Sequence, residues 1–115
     1  MTHVMLDLET LGTKPGCVIR SIGAVVFTLD GVLGAQFYAN IDKQSCVDAG
    51  LTVDPATEAW WAGQSQEARD ALLVNPRPLA DIVGEFRAWY EINGGTNVWS
   101  QSRPWCENKI ADGNP

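Results

Sequence analysis

Met5-Leu6-Asp7-Leu8-Glu9-Thr10-Leu11-Gly12-Thr13 is the stretch on which the reading of this 115-residue chain turns. His3 to Leu8 alternate as a half-buried strand does, with Val4, Leu6 and Leu8 on one face and Met5, Asp7 and Glu9 on the other. Two carboxylates at i and i+2 share that second face, with α-carbons roughly 6.5–7 Å apart. Like charges this close, beside an apolar strand, are costly unless neutralised. A hard divalent cation held by carboxylate oxygens is the natural neutraliser. For an acidic pair taken alone, a strand end simply facing water is the plainer alternative. Thr10 to Thr13 then turn the chain out of the strand.

Outward from that stretch, the composition bounds the answer. A chain of this length forms one domain at most, and 45% hydrophobic with 19% charged residues excludes disorder. Neither an apolar run of membrane-spanning length nor a basic-then-apolar leader is present, so no membrane partner is expected. Cys17, Cys46 and Cys106 are odd in number and widely spaced, which fits small apolar residues in a reducing cytoplasm better than a disulfide framework. The net charge of -6 disfavours a module that holds nucleic acid by a basic surface. It weighs less against a nuclease whose cations meet the phosphate directly.

After Lys14-Pro15-Gly16, a turn, Ile22 to Leu29 read as a β-branched strand buried on both faces. Asp30-Gly31 predicts a two-residue hairpin turn into a strand from Val32 to Ile41, with Phe37, Ala39 and Ile41 alternating against Gln36, Tyr38 and Asn40. Ser45 with Asp48 predicts a capped short turn ending near Gly50. Asp54-Pro55 opens a helix to about Gly63, and Ser65 caps another carrying Ala68, Arg69, Leu72 and Leu73. Leu79 to Asn93 is the clearest amphipathic helix, ended by Gly94-Gly95, and Thr96 to Trp99 predict a last short strand. From Gln101 the pattern dissolves. Strands, then helices, then a strand imply an α/β fold, a mixed sheet with flanking helices.

Asp7-Leu8-Glu9-Thr10 followed by Ser21-Ile22-Gly23-Ala24-Val25 resembles the first motif of the DEDD 3′-5′ exonucleases. The nearer likeness is to their ribonuclease-T-like bacterial and phage branch. There an Asp-Gly hairpin, a Thr-x-x-Trp-Trp-x-x-Gln helix (here Thr57 to Gln64) and a Val-Trp strand (Val98-Trp99) recur in this order. The likeness spans residues 2 to about 101, taken as the N-terminal part of an exonuclease domain, with 102–115 a divergent tail. It implies a ribonuclease-H-like fold and two-metal hydrolysis at the 3′ ends of single-stranded DNA or RNA, with Mg²⁺ or Mn²⁺ as cofactor. Asp7 and Glu9 match two metal ligands with catalytic roles, Asp7 bridging the metals and Glu9 holding the water-activating one. Thr10 and Leu11 lie where such enzymes contact the terminal nucleotide, through backbone groups and an apolar wedge.

Beyond the Val-Trp strand the chain departs from that family. Ser102 replaces a Gly, Trp105-Cys106 occupy the Phe-Asp positions, and Glu107 and Asp112 are out of register. The motif carrying a His or Tyr base lies past residue 115. His3 precedes the acids and reads as a surface residue. Two of four metal ligands and no general base predict an inactive or impaired enzyme, C-terminally truncated. A changed reading frame or early stop is favoured over a genuine short relative. A sheet left incomplete in this way would leave Phe86, Trp89 and Trp99 short of partners, and a homodimer is one assembly to expect.

A non-catalytic interaction or nucleic-acid-binding domain on the same fold is the alternative function. Trp89 and Trp99 read as core residues. Of the adjacent Trp60 and Trp61, one is expected half-exposed, since neighbours on a helix point about 100° apart. Gln64 and Arg69 read as making helix-surface or interhelix contacts.

Overall fold

Among the described residues, alternation and capping place eight elements. In the computed structural model residues 3–93 are described, together with the backbone of 97–100. The strands are β1 (His3–Thr10), β2 (Ile19–Phe27), β3 (Leu33–Asn40) and β4 (Asn97–Ser100). The helices are α1 (Lys43–Asp48), α2 (Pro55–Ala62), α3 (Gln66–Ala71) and α4 (Leu79–Asn93). The sheet order is β3-β2-β1-β4. β1 to β3 form an antiparallel meander, and β4 returns parallel to β1 with His3 opposite Asn97 and Leu6 opposite Ser100. The fold is α/β with a mixed sheet, as expected. No helix among the described residues is long and apolar enough to cross a membrane.

One face of the sheet carries the core. Val4, Leu6 and Leu8 of β1 lie against Ile22 and Ala24 of β2, under Leu79, Ile82 and Phe86 of α4. Fully burying a side chain such as Leu6 or Ile82 stabilises by about 1.5–3 kcal/mol. Phe37 meets Phe86 edge-on at 5.4 Å, and Trp89 stacks on Phe86 at 5.9 Å. Phe86 is therefore buried and Trp89 half-buried, neither left short of partners as the truncated reading expected. The side chain of Trp99 and all of 101–115 lie outside the described residues.

Four local expectations are corrected. From Ile22 to Val25 β2 is buried on one face only, Ile22 and Ala24 being buried while Gly23 and Val25 on the opposite side are half-buried. The hairpin loop has three residues: Thr28 and Val32 pair, and Gly31 takes φ 95° after the Thr28–Gly31 turn. Asp42, not Ser45, caps α1, its carboxylate accepting from Ser45 N at 3.0 Å. The Ser45 hydroxyl instead accepts from Leu79 N at 3.0 Å, which ties the start of α4 to α1. His3 is buried rather than superficial, its ring 5.4 Å from that of Phe27. The expected Asp54 and Ser65 caps are present, the Asp54 carboxylate accepting from Ala56 N and the Ser65 hydroxyl from Ala68 N.

Candidate active site

The core that buries Leu6 and Leu8 forces Asp7 and Glu9 onto the open face, since alternate residues of a strand point opposite ways. Asp7 is exposed and Glu9 half-buried. Asp7 pairs with Gly23 across β2, and Gly23 with Tyr38 across β3. Gly23 has no side chain to fill the space beside Asp7. A Cβ added there would sit 3.6 Å from the Tyr38 ring, so that exposed aromatic lies along the same row. The Tyr38 hydroxyl donates to Asn40 Oδ1 at 2.8 Å, and Asn40 Nδ2 donates to the carbonyls of Ala71 and Val74 at 2.8 Å each. Asn40 is thus buried, although its strand face is otherwise open.

The pairing slips just past Glu9. Glu9 faces Ser21 but Thr10 faces Ile19, so Arg20 is the extra residue of a bulge opposite the end of β1. Burial, and secondly the charge of Asp7, push the Glu9 carboxyl above its ordinary value of 4.5. No ion pair among the described residues involves Asp7 or Glu9. Their oxygens suit a hard cation, and Asp7 and Glu9 are the residues able to contribute to holding one. Among the described residues no three His, Cys, Asp or Glu side chains gather into a metal cluster.

The turn after Glu9 is stitched down. Thr10 Oγ1 donates to the Gly12 carbonyl at 2.8 Å. Leu11 N donates to the Val18 carbonyl at 2.9 Å, and the Leu11 carbonyl accepts from Asp54 N at 2.7 Å. Leu11 is 2% exposed and belongs to the core. A wedge at a terminal nucleotide would require this turn to open. Gly12 sits so close to Cys17 that an added Cβ would lie 2.6 Å from Cys17 Cβ.

Two contacts unforeseen from the sequence bring α2 to this end of the strand. Trp61 Nε1 donates to the Thr10 carbonyl at 3.0 Å, and Asp54 N holds Leu11 as above. No local signal couples residues so far apart in the chain. The one available clue was a tryptophan with a polar edge in a helix of weak amphipathicity. Gln64 and Arg69 make local contacts, Gln64 Nε2 to the Trp60 carbonyl and Arg69 to the Gln66 side chain. Ser102, Trp105, Cys106, Glu107 and Asp112 lie outside the described residues.

An acidic pair at a strand end, a bulge beside it and a latched Trp-Trp helix coincide with a family match. The model of the 3′-5′ exoribonuclease Rv2179c-like domain matches residues 2–112. The chain belongs to that family. No curated protein and no solved structure matched it. The exoribonuclease match takes in Asp7, Glu9 and the α2 tryptophans and runs past residue 101. Membership supports 3′-5′ exonuclease-like function on a nucleic-acid substrate, in a family whose members generally use divalent metals.

Proposed function

We propose that the chain carries half of a two-metal centre for trimming single-stranded RNA from its 3′ end, with Asp7 and Glu9 as metal ligands. The observation that carries this reading is the pair itself. Two carboxylates lie on the open face at the end of β1, and Glu9 resists ionisation because of burial and Asp7. That donor set fits Mg²⁺ or Mn²⁺. Bound divalent ions supply an activated water and neutralise charge on the leaving 3′-oxygen. Asp7 and Glu9 fix oxygen donors at the strand end, and the stitched Thr10–Leu11 turn forms the floor beneath the terminal nucleotide. An antiparallel meander with a fourth strand returning parallel to the first supports a ribonuclease-H-like fold. Buried free thiols at Cys17 and Cys46 suit a reducing cytoplasm.

Trimming by this chain is proposed to be impaired, because Trp105-Cys106 stand where the exonuclease motifs place Phe-Asp, the third acid. The test is purified chain with Mg²⁺ or Mn²⁺ and 5′-labelled single-stranded RNA. The expected result is slow or no 3′ trimming, with cation-dependent RNA binding that is lost in Asp7→Asn. Robust trimming that vanishes in Asp7→Asn would overturn the impairment, whereas trimming that survives Asp7→Asn would overturn the metal-site assignment.

A second reading is a non-catalytic interaction domain. It is favoured by the exposed Met5, Leu33 and Tyr38 on the sheet, surface that a protein partner or a second copy would cover. Metal-independent binding of a partner, with the chain inert toward RNA in all ions, would select it.

A further inference from the structure

We propose that Trp60 is the base platform of this site, its indole stacking on the base of the nucleotide at an RNA 3′ end whose phosphate lies at Asp7 and Glu9. The inference rests on the exoribonuclease reading of those two carboxylates. Trp60 is 58% exposed, in a helix none of whose residues is fully buried. A helix placed for core burial would turn its largest side chains inward. Here α2 contributes only Trp61 to the edge of the core.

Besides the Lys43–Glu58 ion pair to α1, the chain fastens α2 to the end of β1. Trp61 donates to the Thr10 carbonyl at 3.0 Å, one residue past Glu9, and Asp54 N donates to the Leu11 carbonyl at 2.7 Å. Trp60 meets the anchored Trp61 ring edge-on, with centroids 5.0 Å apart and planes at 84°. The contacts run without a gap from Trp60 through Trp61 to the residue next to Glu9. They link the Trp60 ring by contacts to the residue next to Glu9, and its contact with Trp61 restricts its freedom before a ligand arrives.

Stacking also suits the electrostatics. A chain of net charge -6 gains little from general attraction to phosphate, whereas every base offers a π-face to an indole. The proposal therefore includes sequence tolerance: the platform serves all four bases.

The test uses the full 115-residue chain with Mn²⁺ and a 5′-fluorescein-labelled single-stranded RNA hexamer, binding being read by anisotropy. Trp60→Ala is expected to weaken binding roughly 5- to 150-fold. Trp60→Phe should recover most of the loss. An RNA whose 3′-terminal nucleotide is abasic should bind wild type weakly and lose nothing further in Trp60→Ala. Thermal melts of each variant establish that the fold is kept. Trp60→Ala binding like wild type, while Asp7→Asn loses binding, would overturn the platform and leave the metal-site reading standing. Wild-type chain that ignores RNA in Mn²⁺ would overturn both. A Trp60→Ala loss equally large on the abasic RNA would also overturn the platform, since the ring would then be acting on something other than the base.

Discussion

On one face of β1, Val4, Leu6 and Leu8 disappear beneath α4. On the other, past a buried His3, Met5 is 42% exposed, Asp7 is exposed and Glu9 is only half-covered. The residues alternate along a single strand, so backbone propensity cannot account for the contrast. What separates the faces is what lies over them. The covered face has Ile82, Phe86 and Trp89, while the open face has a glycine gap, the Tyr38 ring and two carboxylates. The strand is thereby anchored by one face and free to do chemistry with the other. A rigid element of this kind holds charged groups together that would otherwise separate.

That contrast can be broken most forcefully from below. Leu6→Ala, at a residue 1% exposed, should cost about 2–5 kcal/mol, whereas Met5→Ala, its neighbour, should stay within about 0.5 kcal/mol. Urea denaturation of the two variants measures this, and equal losses would mean that the open face is packed after all.

Gly12→Ala probes the end of the strand, where the two faces meet. The new methyl would lie 2.6 Å from Cys17 Cβ, which is fixed to the backbone and cannot swing away. The turn must shift, at a cost of about 1–3 kcal/mol. A thermal melt unchanged from wild type would show that the turn gives freely, and would make room for Leu11 to leave the core.

Glu9→Gln has the smallest expected effect and is the sharpest probe of the open face. In the folded chain the Glu9 carboxyl is held above its ordinary 4.5, by burial first and by Asp7 second. The folded state therefore binds that proton more tightly than the unfolded state does. Stability should fall as pH rises from about 4.5 through the raised value, and the cost should be fully present above it. Glu9→Gln should remove this slope and melt higher than wild type at pH 7. Mg²⁺ or Mn²⁺ should narrow the gap by favouring the ionised pair in wild type alone. A mutant that melts lower than wild type at neutral pH without cation would contradict the electrostatic account.

Much of the molecule was legible in its residues. The 2-residue period of β1 correctly separated Leu6 from Asp7, and Asp54-Pro55, Ser65 and the spacing of Leu79, Ile82 and Phe86 marked the helices. Other features were decided by neighbours distant in the chain. Ser45 looked like a cap for its own helix, but Asp42 reaches Ser45 N first, and the Ser45 hydroxyl serves Leu79 instead. His3, standing ahead of the acids, looked superficial, yet pairing with β2 sets it against Phe27. Leu11 was expected as an apolar wedge at a terminal nucleotide, but Val18 and Asp54 tie down its backbone and its side chain joins the core.

The sequence by itself therefore determined which residues of β1 lie on which face and where α2, α3 and α4 begin, because alternation and capping are set by residues within a few positions of one another. Its acidic pair, Asp7 and Glu9 on one side of a strand, needed nothing further. Only the tertiary structure decided what stands around that pair: the bulge at Arg20, the Tyr38 ring across Gly23 and α2 pinned through Trp61 to Thr10. Those contacts join segments far apart in the chain. They are chosen by the packing of the whole domain, where register and latch are fixed together as the core closes.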